Sequence, residues 1–555
     1  MKNTKALFWA FMKDIQMDKP KERGRRIKNW VLTLFAVFCV FLPVVVGSAI
    51  LLYLMTKSLS GAGQEAFAIQ LIYGLITVFT VIFSINVVFS ELYFSDDIPH
   101  LLPLPLKGRE IVGGKFAAAF MSENIIQFML VLACVIGFGL ADKMNPVMWI
   151  LSFAGGFFLS VVPMAYCAIL GILIMSFTKV VKSKDAIRKI SLIFILVIMI
   201  LLIGSVSTIR DSDIDNLVVR AASSGVPFIR IMNIIFPEIR LLAVFMAEGS
   251  IPALLGYCGI TILSVLILLL VADLFYLTSV TELGESNHKK KKAVSITKAS
   301  LRERSAFRAC VSRDWKNLVR TPVYFTNCVA VTFIWPALVW VAMKILRINV
   351  SRGPLSARYL ADSSHLPIAF LLLGFGVGFI MTSMNSLGSN AFSREGDNFE
   401  YMKYIPVSYR LQWQAKALIS LLVSAAGTVP FLLFIGFYMK APVGHTLLAC
   451  LLDLLAIVTV TYFGLLMDAM NPKLVWSDAL SALRENENTF FCMGVAIVTA
   501  GALGTGLYFL SSAAGVYAAG LCGAGVMLVL GLLVYRRSMT RGVSYLEEVL
   551  EGSNR

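Results

Sequence analysis

Long apolar segments alternate with short polar ones along the whole chain. A helix needs about 20 mostly apolar residues to cross the hydrocarbon core of a bilayer. Twelve runs reach that length, and they cover residues 30–55, 67–90, 117–140, 147–178, 189–208, 251–277, 322–345, 365–388, 416–438, 444–467, 489–510 and 513–535. These runs are apolar on every side, whereas the strands of a membrane barrel alternate in polarity. The pattern therefore predicts an all-α polytopic membrane protein with about 12 transmembrane helices.

The composition supports a membrane protein. Of the 555 residues, 58% are hydrophobic and 15% are charged, while soluble domains have about 25% charged residues. The net charge of +16 could indicate a nucleic-acid partner. However, Lys and Arg are concentrated at the two termini and in every second connection, as expected for cytoplasmic loops. We therefore predict a multi-pass protein with both termini in the cytoplasm and no nucleic-acid partner.

The two halves of the chain repeat one another. Ala6–Asp14 precedes the first predicted span, and Ala306–Asp314, 300 positions later, precedes the seventh. Pro105–Lys115 likewise matches Pro406–Lys416. The repeat predicts five regions: a basic interfacial helix (1–29), a first six-helix half (30–280), a basic linker with a second interfacial helix (281–320), a second half (321–536) and a cytoplasmic tail (537–555).

Motifs for enzymatic chemistry are not evident in the sequence. A phosphate-binding loop needs Gly five residues before its Gly-Lys pair and Ser or Thr after it. At Gly108–Phe116 those positions hold Arg109 and Phe116. The nine cysteines form no CxxC pair and the four histidines lie far apart, so a metal site is not indicated. We expect a protein that is not an enzyme and binds no cofactor itself.

Polar residues occur within two predicted spans. Glu123, Asn124 and Gln127 lie in the third, and Asp453 lies in the tenth. An ionisable side chain at membrane depth is costly, so it indicates either a transport function or a partner within the helix bundle. Both interpretations stay open, and the first would suit an ion-coupled secondary transporter that uses Glu123 or Asp453.

Two predicted cytoplasmic segments have the same organisation. Glu91–Pro105 and Phe392–Pro406 each begin with polar and acidic residues, continue with apolar and aromatic residues at helical spacing, and end at a proline. Each should form a short helix at the membrane surface with one apolar side. Such a helix either docks into a groove of a cytoplasmic partner or rests on lipid.

At four segments the chain resembles the permease subunits of ABC-2-type exporters, in particular the fused twelve-helix permeases of Gram-positive bacteria. The segments are Leu102–Lys115, Arg313–Pro322, Ser393–Ser408 and Asp468–Trp476 followed by Asn486 and Asn488. The resemblance implies two tandem ABC-2-type halves in the plasma membrane. They would export an amphipathic or hydrophobic substrate, and ATP and Mg would bind to two copies of a separate ABC ATPase.

The resemblance also implies a coupling helix in each half, seated in the ATPase. It assigns these residues to ATPase coupling: Asp96, Asp97, Ile98, His100, Leu101, Leu102, Asp397, Asn398, Phe399, Glu400, Tyr401 and Lys403. A hairpin of short helices is expected within Asp211–Ser250 on the outer side, with no counterpart in the second half.

Overall fold

A computed structural model describes most of the chain. The described residues are 65–95, 97–142, 144–177, 227–281, 305–334, 366–438, 441–476 and 486–552, with short pieces at 7, 42, 45–50, 52–57, 60, 336, 479 and 481–484. The predicted N-terminal interfacial helix, the fifth span, most of the first span, most of the linker and Asp96 lie outside them. The described residues divide into two compact units, within Phe41–Val294 and Ser295–Arg555.

The first unit consists of helices. They are α1 (Glu65–Phe89), the one-turn α2 (Ile98–Leu101), α3 (Gly108–Asp142), α4 (Pro146–Phe157), α5 (Val161–Phe177), α6 (Pro227–Ile235), α7 (Pro237–Glu248) and α8 (Ile251–Val271), which π-helix Ala272–Tyr276 extends. Helix α1 packs on α3, α5 and α7, and α5 packs on α8. The predicted hairpin is formed by α6 and α7, which fall within the expected residues.

The second unit is helical as well. Its helices are α9 (Ala306–Arg320), α10 (Leu366–Met384), the one-turn α11 (Tyr401–Tyr404), α12 (Tyr409–Tyr438), α13 (Val443–Met470), α14 (Glu487–Ala514), α15 (Val516–Arg537) and α16 (Val543–Gly552). Shorter helical pieces cover Pro322–Tyr324, Phe325–Ala330, Ser393–Glu400, Ser481–Arg484 and Ser538–Gly542. Helix α10 packs on α12, α13 and α14, and α13 packs on α15. Phenylalanines 370, 375 and 379 form the centre of this core.

Local signals set the helix boundaries. Asn145 and Asn486 accept hydrogen bonds from the first turns of α4 and α14, and Ser305 does so for α9. Gly249 ends α7 in the left-handed conformation, at φ 67°, where a residue with a Cβ would be strained. These caps set where α4, α9 and α14 begin and where α7 ends.

The described residues contain eight helices that are long and apolar enough to cross a membrane, or nine if a bent pair counts as one. That bent pair is α3, whose parts Gly108–Asn124 and Gln127–Asp142 meet at 55°. The third span, predicted at 117–140, is therefore longer than expected and broken near its polar residues. The fourth is also interrupted, because residues 158–160 separate α4 from α5.

Matching hydrogen bonds in the two units agree with the sequence repeat. Ser84 donates to Glu123 over 2.7 Å, and Asn385 donates to Ser424 over 2.8 Å. The partners in each pair lie 39 residues apart, and the second pair follows the first at the offset of the sequence repeat. Each pair joins the third helix of a half to the second, so the duplicated segments fold alike. The domain boundaries stay predictions.

The predicted C-terminal tail is not a free extension. From Ser538 to Gly552 the chain continues the last span as helix, and Val543, Leu546 and Leu550 are buried. These residues are spaced at three and four positions, which places them on one face of a helix.

Candidate functional site

A buried lysine anchors the connection between the second and third helices of the first half. We name this connection loop A (residues 90–107). Lys115, in the second turn of α3, is 1% exposed. Its Nζ donates to Asp97 Oδ1 over 2.7 Å and to the carbonyl oxygen of Glu91 over 2.8 Å. One ammonium group thus holds two points of loop A, Glu91 and Asp97, against the beginning of α3.

The second half contains the same arrangement. Lys416 in α12 is 6% exposed, and its Nζ donates to the carbonyl oxygen of Ala391 over 3.0 Å and to Glu395 over 2.5 Å. Both bonds hold the equivalent connection, which we name loop B (residues 385–408). In each unit a lysine from the third helix therefore binds one backbone carbonyl and one carboxylate of the preceding loop. The sequence repeat identified both lysines, but gave no indication of their partners.

Loop B is also tied to α9. Asp314 lies 3.4 Å from Lys416, and Arg313 contacts Glu395 over 3.1 Å and Asp314 over 3.0 Å. Burial alone would lower the pKa of Arg313, but the carboxylates of Glu395 and Asp314 raise it above its usual value. The four side chains form a charge-balanced cluster, which keeps each charge paired. The expected interfacial helix α9 is thereby attached to the bundle rather than only to lipid.

A buried aspartate holds the first part of loop B. Asp468, near the end of α13, accepts hydrogen bonds from the backbone N–H groups of Phe392 and Ser393 over 2.6 and 3.1 Å, and from the Ser393 hydroxyl. The indole of Trp476 donates to the Ser393 carbonyl over 3.0 Å. These bonds explain the polar residues of the Asp468–Trp476 segment, which the sequence singled out without assigning them a role.

One glycine of loop B is required by its geometry. Gly396 has φ 52° and ψ −128°, a conformation that side chains disfavour, and a Cβ there would lie 2.5 Å from the Trp476 ring. Trp476 therefore packs directly on the backbone of loop B.

The predicted coupling residues divide into buried and exposed sets. Ile98 and Phe399, at matching positions of the two loops, are both buried, and Leu101 and Asp97 are half-buried. The exposed residues are His100, Leu102, Asp397, Asn398, Glu400, Tyr401 and Lys403, joined by Leu104 and Tyr404. Tyr401 is 61% and Tyr404 74% exposed. Each loop therefore has one buried apolar side chain that packs within the protein and an exposed surface of mixed apolar and polar side chains.

The C-terminal helix α16 packs on α12 and α13 and shares a buried cluster with loop B. Val543, Leu546 and Leu550 join one cluster of buried side chains with Phe399 and Met402 of the loop. Trp413 of α12, which has no exposed surface, packs on Phe392 at a ring-centre distance of 5.0 Å. Loop B is consequently supported by α9, α12, α13 and α16, and a force on it would reach several helices together.

The intramembrane polar residues of the first unit join the two helix breaks. Asn124, at the bend of α3, donates to the carbonyl oxygen of Phe157 over 3.0 Å and accepts from Ser160 over 2.9 Å. Phe157 and Ser160 flank the break between α4 and α5. Gln127 donates to Thr80 over 2.5 Å. Asn124 thus satisfies backbone and hydroxyl groups that the interrupted helix leaves free, which lipid could not do.

Asp453 lies in the core of the second unit. It has no exposed surface, and its Oδ2 accepts a hydrogen bond from Thr428 over 2.7 Å. Its Oδ1 has no hydrogen-bond partner and faces Gly378, whose missing side chain leaves space for it. Within the part of the chain that the structure describes, no group of His, Cys, Asp and Glu side chains could hold a metal ion.

The sequence matches a family described as membrane proteins of 12 transmembrane segments, over residues 28–536. The chain belongs to this family. The family's description confirms the predicted number of spans. The fifth predicted span and much of the first and seventh lie outside the described residues. No curated protein and no solved structure is detectably similar to the chain. Membership in the family establishes a multi-pass membrane protein.

Proposed function

We propose that the protein is the membrane-embedded permease subunit of an ATP-driven ABC exporter. ATP and Mg would bind to a separate ABC ATPase, in two copies, which dock on loops A and B from the cytoplasm. The observation that carries this proposal is the pair of lysine-anchored loops, at equivalent positions of two repeated halves. Two equivalent attachment points suit a partner that has two-fold symmetry.

The anchoring suits the transmission of force. Lys115 of α3 holds loop A at Asp97, next to α2, and at Glu91, two residues after the end of α1, so a displacement of α2 would be passed to α3. Lys416 and Asp468 connect loop B to α12 and α13 in the same way. Closure of two ATPase subunits would thus tilt packed helices rather than bend a flexible loop. The substrate would be an amphipathic or hydrophobic molecule that leaves the cell, and the membrane would be the plasma membrane, with both termini cytoplasmic.

The proposal is tested by removing the exposed side chains of the loops. In the variant L102A/L104A/Y401A/Y404A, the buried anchors Ile98 and Phe399 are kept, so the fold should persist. We expect that this variant, purified from its native membranes in mild detergent, no longer carries an associated ATPase. The rate of ATP hydrolysis in the purified sample should fall at least tenfold. Mass spectrometry of the purified sample identifies the ATPase.

A matched control replaces an equally exposed aromatic residue far from the loops. Phe437 is 86% exposed in the last turn of α12, at the opposite end from loop B. F437A should keep the ATPase. If the loop variant retains the full amount of ATPase, or if no ATPase accompanies the wild-type protein, the proposal is wrong.

A second candidate function, an ion-coupled secondary transporter, is supported by Asp453. A buried carboxylate oxygen without a partner could take up a proton or a cation during transport. Glu123, the other predicted residue, accepts a hydrogen bond from Ser84. Transport into vesicles that follows an imposed ion gradient without ATP, and that D453N abolishes, would favour this function over the exporter.

A further inference from the structure

The α6–α7 hairpin of the first unit reaches deep between the spanning helices. The ring of Phe236, between the two short helices, stacks on Tyr166 at 5.7 Å. Tyr166 lies beyond the midpoint of the span Pro146–Phe177. Along the hairpin, Asn233 donates to Gln70 over 2.9 Å, and the Tyr73 hydroxyl contacts the sulfur of Met246 at 3.3 Å. The hairpin tip is therefore seated inside the unit.

Glu238 occupies the first turn of α7, next to this tip. It has no exposed surface, and neither of its carboxylate oxygens has a hydrogen-bond partner. The apolar side chains of Ile239 and Leu242, on the same helix, are also fully buried. The ionised form of a carboxyl group without a partner is strongly disfavoured in such a site, and binding a proton removes that penalty.

Among the described residues, the helices that pack on α7 bring no buried cation to this carboxylate. Helix α7 packs on α1, α4, α6 and α8. Their titratable and charged residues, with those of α7 itself and the adjoining part of α5, are Glu65, Tyr73, Tyr166, Cys167, Arg230, Arg240, Glu248, Tyr257 and Cys258. Arg230 and Arg240 are exposed, and the Tyr257 hydroxyl donates to the Gly155 carbonyl over 2.6 Å.

We propose that Glu238 is a proton-binding site and that the hairpin stays seated in the first unit only while this carboxyl is protonated. Opening of the hairpin hydrates the carboxyl, which then releases its proton to water. Closing takes the proton up again. The site lies apart from loops A and B, so it does not depend on the exporter proposal.

The pH dependence follows from linkage. Burial raises the pKa of the Glu238 carboxyl from 4.5 to about 8. Because the seated form has the higher pKa, its stability is complete below pH 4.5 and falls as the pH rises towards 8. Within this window the opening equilibrium should change by up to about tenfold per pH unit.

Hydrogen exchange of the purified chain in lipid nanodiscs, without any ATPase, tests the proposal. Exchange in Pro237–Glu248 is compared with exchange in the core helix Val443–Met470 at each pH. We expect the relative protection of the hairpin to fall up to about tenfold per unit as the pH approaches 8, and then to level off. E238Q, which is neutral at every pH, should stay protected throughout.

The control E248Q changes the exposed glutamate at the far end of the same helix and should behave as the wild type. If E238Q does not fold, E238L offers a second neutral side chain of similar size with the same expected result. Equal wild-type protection at every pH, or an unchanged pH profile in the folded neutral variant, would overturn the proposal.

Discussion

At the scale of single residues, two buried lysines anchor loops A and B. Lys115 and Lys416 have matching positions in the repeat, yet their surroundings differ. Lys115 pairs with Asp97, whose side chain is 29% exposed, whereas Lys416 pairs with Glu395, which is 8% exposed. Water can solvate Asp97 when its lysine is lost, but it reaches Glu395 poorly. The two anchors should therefore differ in their energetic weight.

K416M should destabilise the protein more than K115M. Loss of the Lys416 ammonium group leaves Glu395 and Asp314 with Arg313 as their one remaining cation in the cluster, and breaking a buried ion pair costs about 3–5 kcal/mol. K115M should cost about 1–2 kcal/mol, from one carboxylate and one carbonyl that water partly reaches. Thermal unfolding in detergent gives the comparison, with K107M, at an exposed position of loop A, as the control. Equal losses for K115M and K416M would contradict the assignment.

At the scale of elements, the first unit differs from the second in its interrupted helices. Helix α3 bends at 55° and α4 is separated from α5, whereas their counterparts α12 and α13 are continuous. The two breaks face each other across Asn124. The second unit has Ala425 at the matching position, which has no side-chain donor to stabilise a break. The polar side chain and the irregular backbone thus belong together.

N124A should destabilise the first unit by about 1–3 kcal/mol for each group left unpaired, here the Phe157 carbonyl and the Ser160 hydroxyl. Hydrogen exchange around residues 155–161 should increase, while exchange in α13 should not change. S122A serves as the control, because Ser122 bonds only to the Ala119 carbonyl of its own helix. Unchanged exchange in N124A would show that the break does not depend on this side chain.

At the scale of the whole molecule, helical packing joins segments that are distant in the chain. Loop B and α16 share one buried cluster, although about 140 residues separate them. Deleting residues 543–552 would remove three buried side chains from the cluster that contains Phe399 and Met402, and burial of each large apolar side chain is worth about 1.5–3 kcal/mol.

We therefore expect this deletion to open loop B to protease while the spanning helices persist. Limited proteolysis of the protein in nanodiscs should show new cleavage within residues 393–408. The variant E547Q/E548Q/E551Q, which changes only the exposed face of α16, should remain as resistant as the wild type. Resistance of the deleted chain would show that α16 does not support loop B.

The sequence was sufficient for the helices and the repeat, because burial in lipid requires long apolar runs that are visible in any single chain. It also marked loops A and B, whose polar start and proline stop are local signals. The partners of Lys115, Lys416 and Asp468 could not be predicted, since they depend on which distant backbone groups the fold brings near. Glu238 was missed for a related reason. It follows a proline in an apolar stretch that is too short to span the membrane, and nothing local indicates that this stretch inserts between spans.

The position of α16 also sets an order of events during biosynthesis. A ribosome adds about 5–20 residues per second, so roughly 10–30 s pass between synthesis of Phe399 and of Leu550. Throughout this interval the buried apolar side chains of loop B lack the residues that α16 adds to their cluster. Under the proposed exporter function, an ATPase that bound to loop B before translation reached α16 would contact a surface that lacks its final support.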